Sequence, residues 1–114
     1  MKIAIVGSGA VGSFYGAKLA RAGHEAHFLL RSDYESVRRH GLRISSFQGD
    51  FHVYPKCARR ASGIGVSELV LVGLKTTAND QLEPLIRPLL GPSSAVLTLQ
   101  NGLGNEECLA RFLP

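Results

Sequence analysis

The feature that most constrains this chain is the run Gly7-Ser8-Gly9-Ala10-Val11-Gly12, a G-x-G-x-x-G pattern. Glycine-rich loops match that pattern by chance, so its meaning comes from its neighbours. Before it, Lys2 to Val6 is a continuous, largely β-branched apolar run, as expected of a strand covered on both faces. After it, Val11, Phe14, Tyr15, Leu19 and Ala22 recur at helical spacing over Ala10 to Ala22, and Gly23 closes the segment. A strand, a glycine turn and a helix in that order make a pyrophosphate cradle. Gly7 permits the tight turn, Gly9 lets backbone approach the phosphates, and Gly12 lets the helix pack close to the strand. The amides and positive dipole end of the helix face the same phosphates, bringing Ser8, Ala10 and Val11 into the expected contact set.

The remaining pattern alternates. Glu25 to Leu30 reads as a second strand. Ser32-Asp33-Tyr34-Glu35 has the spacing of a capping box and predicts a helix running to His40, stopped by Gly41, with Asp33 in its first turn. Arg38, Arg39 and His40 suit the negative end of that helix and its solvent face. Leu42 to Ser46 and Phe51 to Tyr54 predict a hairpin or a pair of edge strands, and Ala58 to Gly65 a loop of small residues carrying Arg59 and Arg60. Glu68 to Gly73 is a buried strand. Leu82, Leu85, Ile86, Leu89 and Leu90 share one helical face, with Pro84 and Pro88 obscuring where the helix starts. Ala95 to Leu99 reads as a further strand, and Asn105 to Leu113 as the start of a helix. Strands alternating with helices predict an α/β fold: a Rossmann-type, doubly wound, mostly parallel sheet with helices on both faces. A complete domain of that type has two βαβαβ halves, and the pattern is expected to stop part-way through the second. The 114 residues are expected to form one domain.

Composition narrows the function classes. An apolar fraction of 45% and a charged fraction of 19% suit a globular chain, and no apolar run approaches the ~18 residues that span a membrane. The amino terminus lacks a signal-peptide core, so a cytoplasmic location is expected. The net charge of +4 favours anionic partners, but the basic residues are scattered and no nucleic-acid motif occurs. A phosphate-rich cofactor accounts for part of the excess. Cys57 and Cys108 stand apart, without a CxxC or a nearby histidine, and neither a disulfide nor a metal site is expected.

Which dinucleotide depends on the end of the second strand. NAD-binding domains place a carboxylate there for the ribose hydroxyls; this chain has Arg31, followed by Ser32. A carboxylate repels a 2′-phosphate, whereas a guanidinium binds it through charge-assisted hydrogen bonds. Arg31 therefore points to NADP(H), with a surface arginine that merely follows a strand as the alternative.

Gly7 to Gly12, Arg31, Leu74-Lys75-Thr76-Thr77 and Leu99-Gln100-Asn101-Gly102-Leu103-Gly104-Asn105-Glu106 together resemble the ketopantoate reductase (2-dehydropantoate 2-reductase) family. The segment around Asn101 is the most specific part, and the resemblance covers essentially the whole chain. It implies reduction of the 2-oxo acid ketopantoate to pantoate with NADPH, a step of pantothenate and coenzyme A synthesis. By the same resemblance Lys75 binds the adenosine phosphate side of the cofactor, and Asn101 contacts both the nicotinamide end and the substrate. Both follow strands, where open α/β sheets bind ligands; a solvated lysine and a turn-shaping Asn101-Gly102 pair are the alternatives. The family's catalytic lysine, substrate-binding asparagines and serine, and late glutamate belong to a second, helical domain that nothing in these residues matches. None of His24, His27, His40 or His52 is placed at a strand's carboxyl end. The chain is therefore expected to bind cofactor, to contain no catalytic residue and to be inactive alone. Two other readings remain: an NADP-dependent dehydrogenase for another carbonyl, and a non-catalytic nucleotide-binding module.

Overall fold

The computed structural model describes residues 1–7, 10–45, 49–73 and 82–98. Strands β1 (Lys2–Val6), β2 (Glu25–Leu29), β5 (Lys56–Ala58), β6 (Leu69–Val72) and β7 (Ala95–Thr98) form a sheet in the order β5-β2-β1-β6-β7. Every pairing in it is parallel, with Ile3 opposite both Ala26 and Leu69. Helices α1 (Ala10–Arg21), α2 (Tyr34–His40) and α3 (Leu82–Ile86) connect them, and β3 (Leu42–Ile44) pairs antiparallel with β4 (Phe51–Val53). This is the Rossmann-type architecture expected, and β3 and β4 form an antiparallel pair where a hairpin or a pair of edge strands was expected.

The twofold period of the strands divides the core. Ile3, Ile5, Ala26, Phe28, Leu30 and Leu71 face one side, with Val37 of α2 and partly buried Leu19 and Ala20 of α1. Ala4, Val6, Leu29, Val70 and Val72 face the other, where Ile86 and Leu89 are fully buried. Two covered faces explain why β1 and β6 read as unbroken apolar runs. The chain moves outward from β1 in both directions, to β2 and β5 on one side and to β6 and β7 on the other. Right-handed crossovers then place α1 and α2 on one face and α3 on the opposite one.

The packing face of α1 departs from the expected one. Tyr15 is 48% exposed and Ala22 is exposed, while Gly12, Gly16 and Ala17 are buried. Large side chains define the hydrophobic period, but the helix meets the sheet through its smallest residues because the Phe28 ring occupies the space between them. A Cβ built on Gly16 would lie 2.6 Å from Phe28 Cζ and 2.8 Å from Ile5 Cγ1. Alanine gains about 1 kcal/mol over glycine in helix propensity, yet two such contacts in a packed core outweigh it. Gly16→Ala is expected to destabilise the protein, by ~1–3 kcal/mol. Denaturant titration checks the sign: a more stable variant would show that Phe28 yields easily.

Three local expectations change. The capping box does not form: Asp33 is the N-cap of α2 and makes no side-chain hydrogen bond to the helix amides, which places it before the first turn rather than in it. Glu35 turns to arginines instead of the cap amide. Lys56–Ala58, without a β-branched residue, is a strand because β2 supplies it with an edge, and only Ala58 of the expected loop belongs to that strand. The segment from Leu82 is α-helical to Ile86 and then tightens into a 3₁₀ turn over Arg87–Leu89, where Pro88 removes an amide donor. The expected helix from Asn105 lies outside the described residues. The β3–β4 hairpin folds onto α1, with the Arg21 guanidinium 4.8 Å from the centre of the Phe51 ring.

Candidate functional site

The site begins where β1 ends. Gly7 has φ +95°, a conformation that L side chains rarely adopt, and it turns the chain out of the sheet. Behind it the first turn of α1 packs backbone to backbone: a Cβ on Gly12 would lie 2.9 Å from the Gly7 carbonyl oxygen. A Cβ on Gly73 would lie 3.2 Å from Gly12 Cα, and the Gly73 amide donates to the Val6 carbonyl at 2.8 Å. The start of α1 is thus held against the ends of β1 and β6, the point where the strand order reverses. Ligands of open α/β sheets bind at that point, beyond the carboxyl ends of the strands.

Beside Gly7 the ends of β2 and β5 bring two arginines together. The Leu30 amide donates to the Ala58 carbonyl at 2.9 Å, so the chain after each strand leaves the sheet at the same level. Arg31 and Arg59 emerge there. Both line a cleft of about 160 Å³ with Val6, Gly7, Leu29, Ser32, Asp33 and Leu85. Pockets enclosing whole small ligands run to ~300–1,000 Å³; this cleft suits one end of a long ligand whose remainder lies across the sheet edge. Arg31 is exposed and forms no ion pair with a carboxylate among the described residues. A polar cleft with two guanidiniums beside a glycine turn and a helix start has the chemistry for a phosphorylated nucleotide.

The sequence matches Ketopantoate reductase PanE/ApbA over residues 3–114. The chain belongs to that family. It is 44% identical to a 2-dehydropantoate 2-reductase of Nostoc sp., over 99% of this chain and 36% of the relative. The crystal structure of 2-dehydropantoate 2-reductase from Geobacter metallireducens GS-15 superposes with a TM-score of 0.94 at 54% identity, over 97% of this chain and 37% of that one. A D-mandelate dehydrogenase solved with NADH and anilino(oxo)acetate superposes with a TM-score of 0.87 at 26% identity, over 100% of this chain and 38% of that one. The chain therefore spans little more than a third of the length of these oxidoreductases.

Within this family framework, Gly7, Gly12 and Arg31 come together around the turn and cleft, and Ala10 and Val11 open α1. Ser8, Gly9, Lys75 and Asn101 lie outside the described residues. Sequence reasoning missed three neighbours. Gly73 permits the close approach of α1, Leu85 closes the far wall, and Arg59 was left in a loop because β5 carries so weak a strand signal. Asp33 also reaches the cleft, as the residue before α2.

Glu35 stands beside this wall. Its carboxylate is 3.3 Å from Arg38 Nη2, 3.5 Å from Arg39 Nε and 3.3 Å from Arg59 Nη2. Desolvation works against ionisation, but the Arg38 hydrogen bond and the charges of Arg38, Arg39 and Arg59 outweigh it and hold the carboxyl below its usual range. The Arg59 guanidinium also lies 4.6 Å from the centre of the Tyr34 ring, a cation–π distance. No histidine lines the cleft; His27, in mid-β2, sits 2.6 Å from Glu25 Oε2. Burial pushes the Cys57 thiol up, away from the reactive thiolate. No group of three His, Cys, Asp or Glu among the described residues could hold a metal ion. No helix among them is long and apolar enough to cross a membrane.

Proposed function

We propose that residues 1–114 are the NADPH-binding part of a cytoplasmic 2-dehydropantoate 2-reductase, which reduces ketopantoate to pantoate. Arg31 carries this reading: a guanidinium without a carboxylate partner among the described residues, in a cleft that begins at Gly7. The glycine turn and the start of α1 hold the pyrophosphate, through Gly7, Ser8, Gly9, Ala10, Val11 and Gly12. Arg31 holds the 2′-phosphate, Lys75 the adenosine phosphate side, and Asn101 the nicotinamide end together with the 2-oxo acid. When bound, the dinucleotide supplies a hydride to the carbonyl carbon. The developing alkoxide takes its proton from a donor within hydrogen-bond reach. That donor, with the rest of the substrate site, belongs to the helical domain expected in the other two thirds of relatives such as the Nostoc enzyme.

Titration of the purified protein with NADPH and NADH tests the cofactor. The parent should prefer NADPH, and Arg31→Ala should shrink that preference by ~1–3 kcal/mol, the range for a charge-assisted hydrogen bond. Equal affinities in the parent would sink the assignment. One observation favours a second reading, an NADH-linked enzyme: Asp33 lies on the cleft wall, where a carboxylate can accept from ribose hydroxyls. A parent that prefers NADH, with the preference lost in Asp33→Asn, would establish it.

A further inference from the structure

Among the described residues, Arg59 is the cleft-lining cation without an assigned role. The hydrogen bond from the Leu30 amide to the Ala58 carbonyl sets Arg59 level with Arg31 on the same wall. Its guanidinium carbon lies 4.6 Å from the centre of the Tyr34 ring, a cation–π contact that uses none of its hydrogen-bond donors. Its ionic partner, Glu35, is shared with Arg38 and Arg39, so that one carboxylate serves three guanidiniums. Of the residues that line the cleft, two guanidiniums, Arg31 and Arg59, stand with one carboxylate, Asp33. The lining therefore carries one positive charge in excess, which favours an anionic group there. The Arg59–Glu35 pair is also exposed, with 61% and 48% of the two side chains open to solvent. Exposed pairs of this kind hold their partners weakly, so a phosphate can draw Arg59 away.

We propose that Arg59 is a second ligand for the phosphate on the adenosine ribose, and that Glu35 restrains it until that phosphate competes. The inference rests on the reading that the cleft takes the 2′-phosphate end of NADP(H). Arg31 gives the first contact. Arg59 gives a second from the segment that follows β5, so discrimination against NADH comes from two segments rather than one.

Fluorescence titration suits the test, because the chain has no tryptophan to mask the reduced nicotinamide signal. NADPH and NADH are titrated into the parent, Arg31→Ala, Arg59→Ala, Arg59→Lys and Glu35→Gln, with the thermal midpoint of each variant measured alongside. Arg59→Ala should weaken NADPH about tenfold, the low end for a charge-assisted contact on an exposed wall, and change NADH less than about twofold. Arg59→Lys should recover part of the loss, and Glu35→Gln should tighten NADPH by roughly two- to fivefold. If Arg31→Ala collapses the preference while Arg59→Ala leaves it intact, the role of Arg59 is overturned and the NADP(H) reading stands. If neither arginine matters, or the parent does not discriminate, that reading falls with it. Weaker NADPH binding by Glu35→Gln would overturn the restraint, since Glu35 would then be orienting Arg59 for the phosphate.

Discussion

Phe28→Ala should lower the unfolding free energy by ~3–5 kcal/mol, the largest stability loss expected from a single truncation in this chain. Among the described residues Phe28 is the bulkiest fully buried side chain, at 0% exposure in β2. It lies on the face shared with Ile3, Ile5, Leu30 and Leu71, beneath α1 and α2. Removing the ring takes away its transfer free energy and leaves a cavity that a sheet fixed by β1 and β5 on either side cannot close. The same ring makes Gly16 obligatory, so the two positions should be coupled. In the Phe28→Ala background a methyl at Gly16 enters vacated space, and Gly16→Ala should cost less there than in the parent by at least ~0.5 kcal/mol. Chemical denaturation of the four proteins of this cycle measures both quantities. A loss below ~2 kcal/mol for Phe28→Ala, or strictly additive effects, would show that α1 moves to fill the site and does not rest rigidly on the ring.

That coupling marks the limit of what sequence conveys. Strands β1 and β6 could be read because two covered faces require unbroken apolar runs, and β1, Gly7 and α1 because a glycine turn between strand and helix has few structural alternatives. Arg31 could be found by counting from that turn. The packing face of α1 could not. Periodicity weights large side chains, and here contact is made by Gly12, Gly16 and Ala17, whose importance depends on the shapes of Phe28 and of the β1 and β6 ends. Strand β5 was hidden for a related reason: Lys56, Cys57 and Ala58 have little strand preference, and the register with His27, Phe28 and Leu29 imposes the conformation. With β5 unseen, Arg59 could not be placed beside Arg31. Likewise Ser32 and Glu35 have capping-box spacing, but three guanidiniums compete for the carboxylate more strongly than one backbone amide.

Gly12→Val should weaken NADPH and NADH binding alike, without changing the ratio of their affinities. No left-handed backbone angle is involved at Gly12; the constraint is space. A Cβ there meets the Gly7 carbonyl oxygen at 2.9 Å, with Gly73 Cα at 3.7 Å and Ile5 Cγ2 at 3.9 Å. Two of these neighbours are backbone, which cannot rotate aside as a flexible side chain can. Valine adds two further methyls to that gap, so α1 must lift from the ends of β1 and β6 or Gly7 must shift. Either movement takes the amides at the start of α1 away from the pyrophosphate, which both cofactors carry. A loss of at least ~100-fold is expected for each, about 2.7 kcal/mol, with ~1–3 kcal/mol of stability lost from overpacking. Arg31→Ala and Arg59→Ala should do the opposite, changing the ratio and leaving stability nearly untouched because both side chains are exposed. Parallel titrations and thermal melts separate the two patterns. Gly12→Val protein that stays folded and binds NADPH like the parent would show that close approach of α1 serves packing alone, and the pyrophosphate would then have to be sought elsewhere than at Gly7.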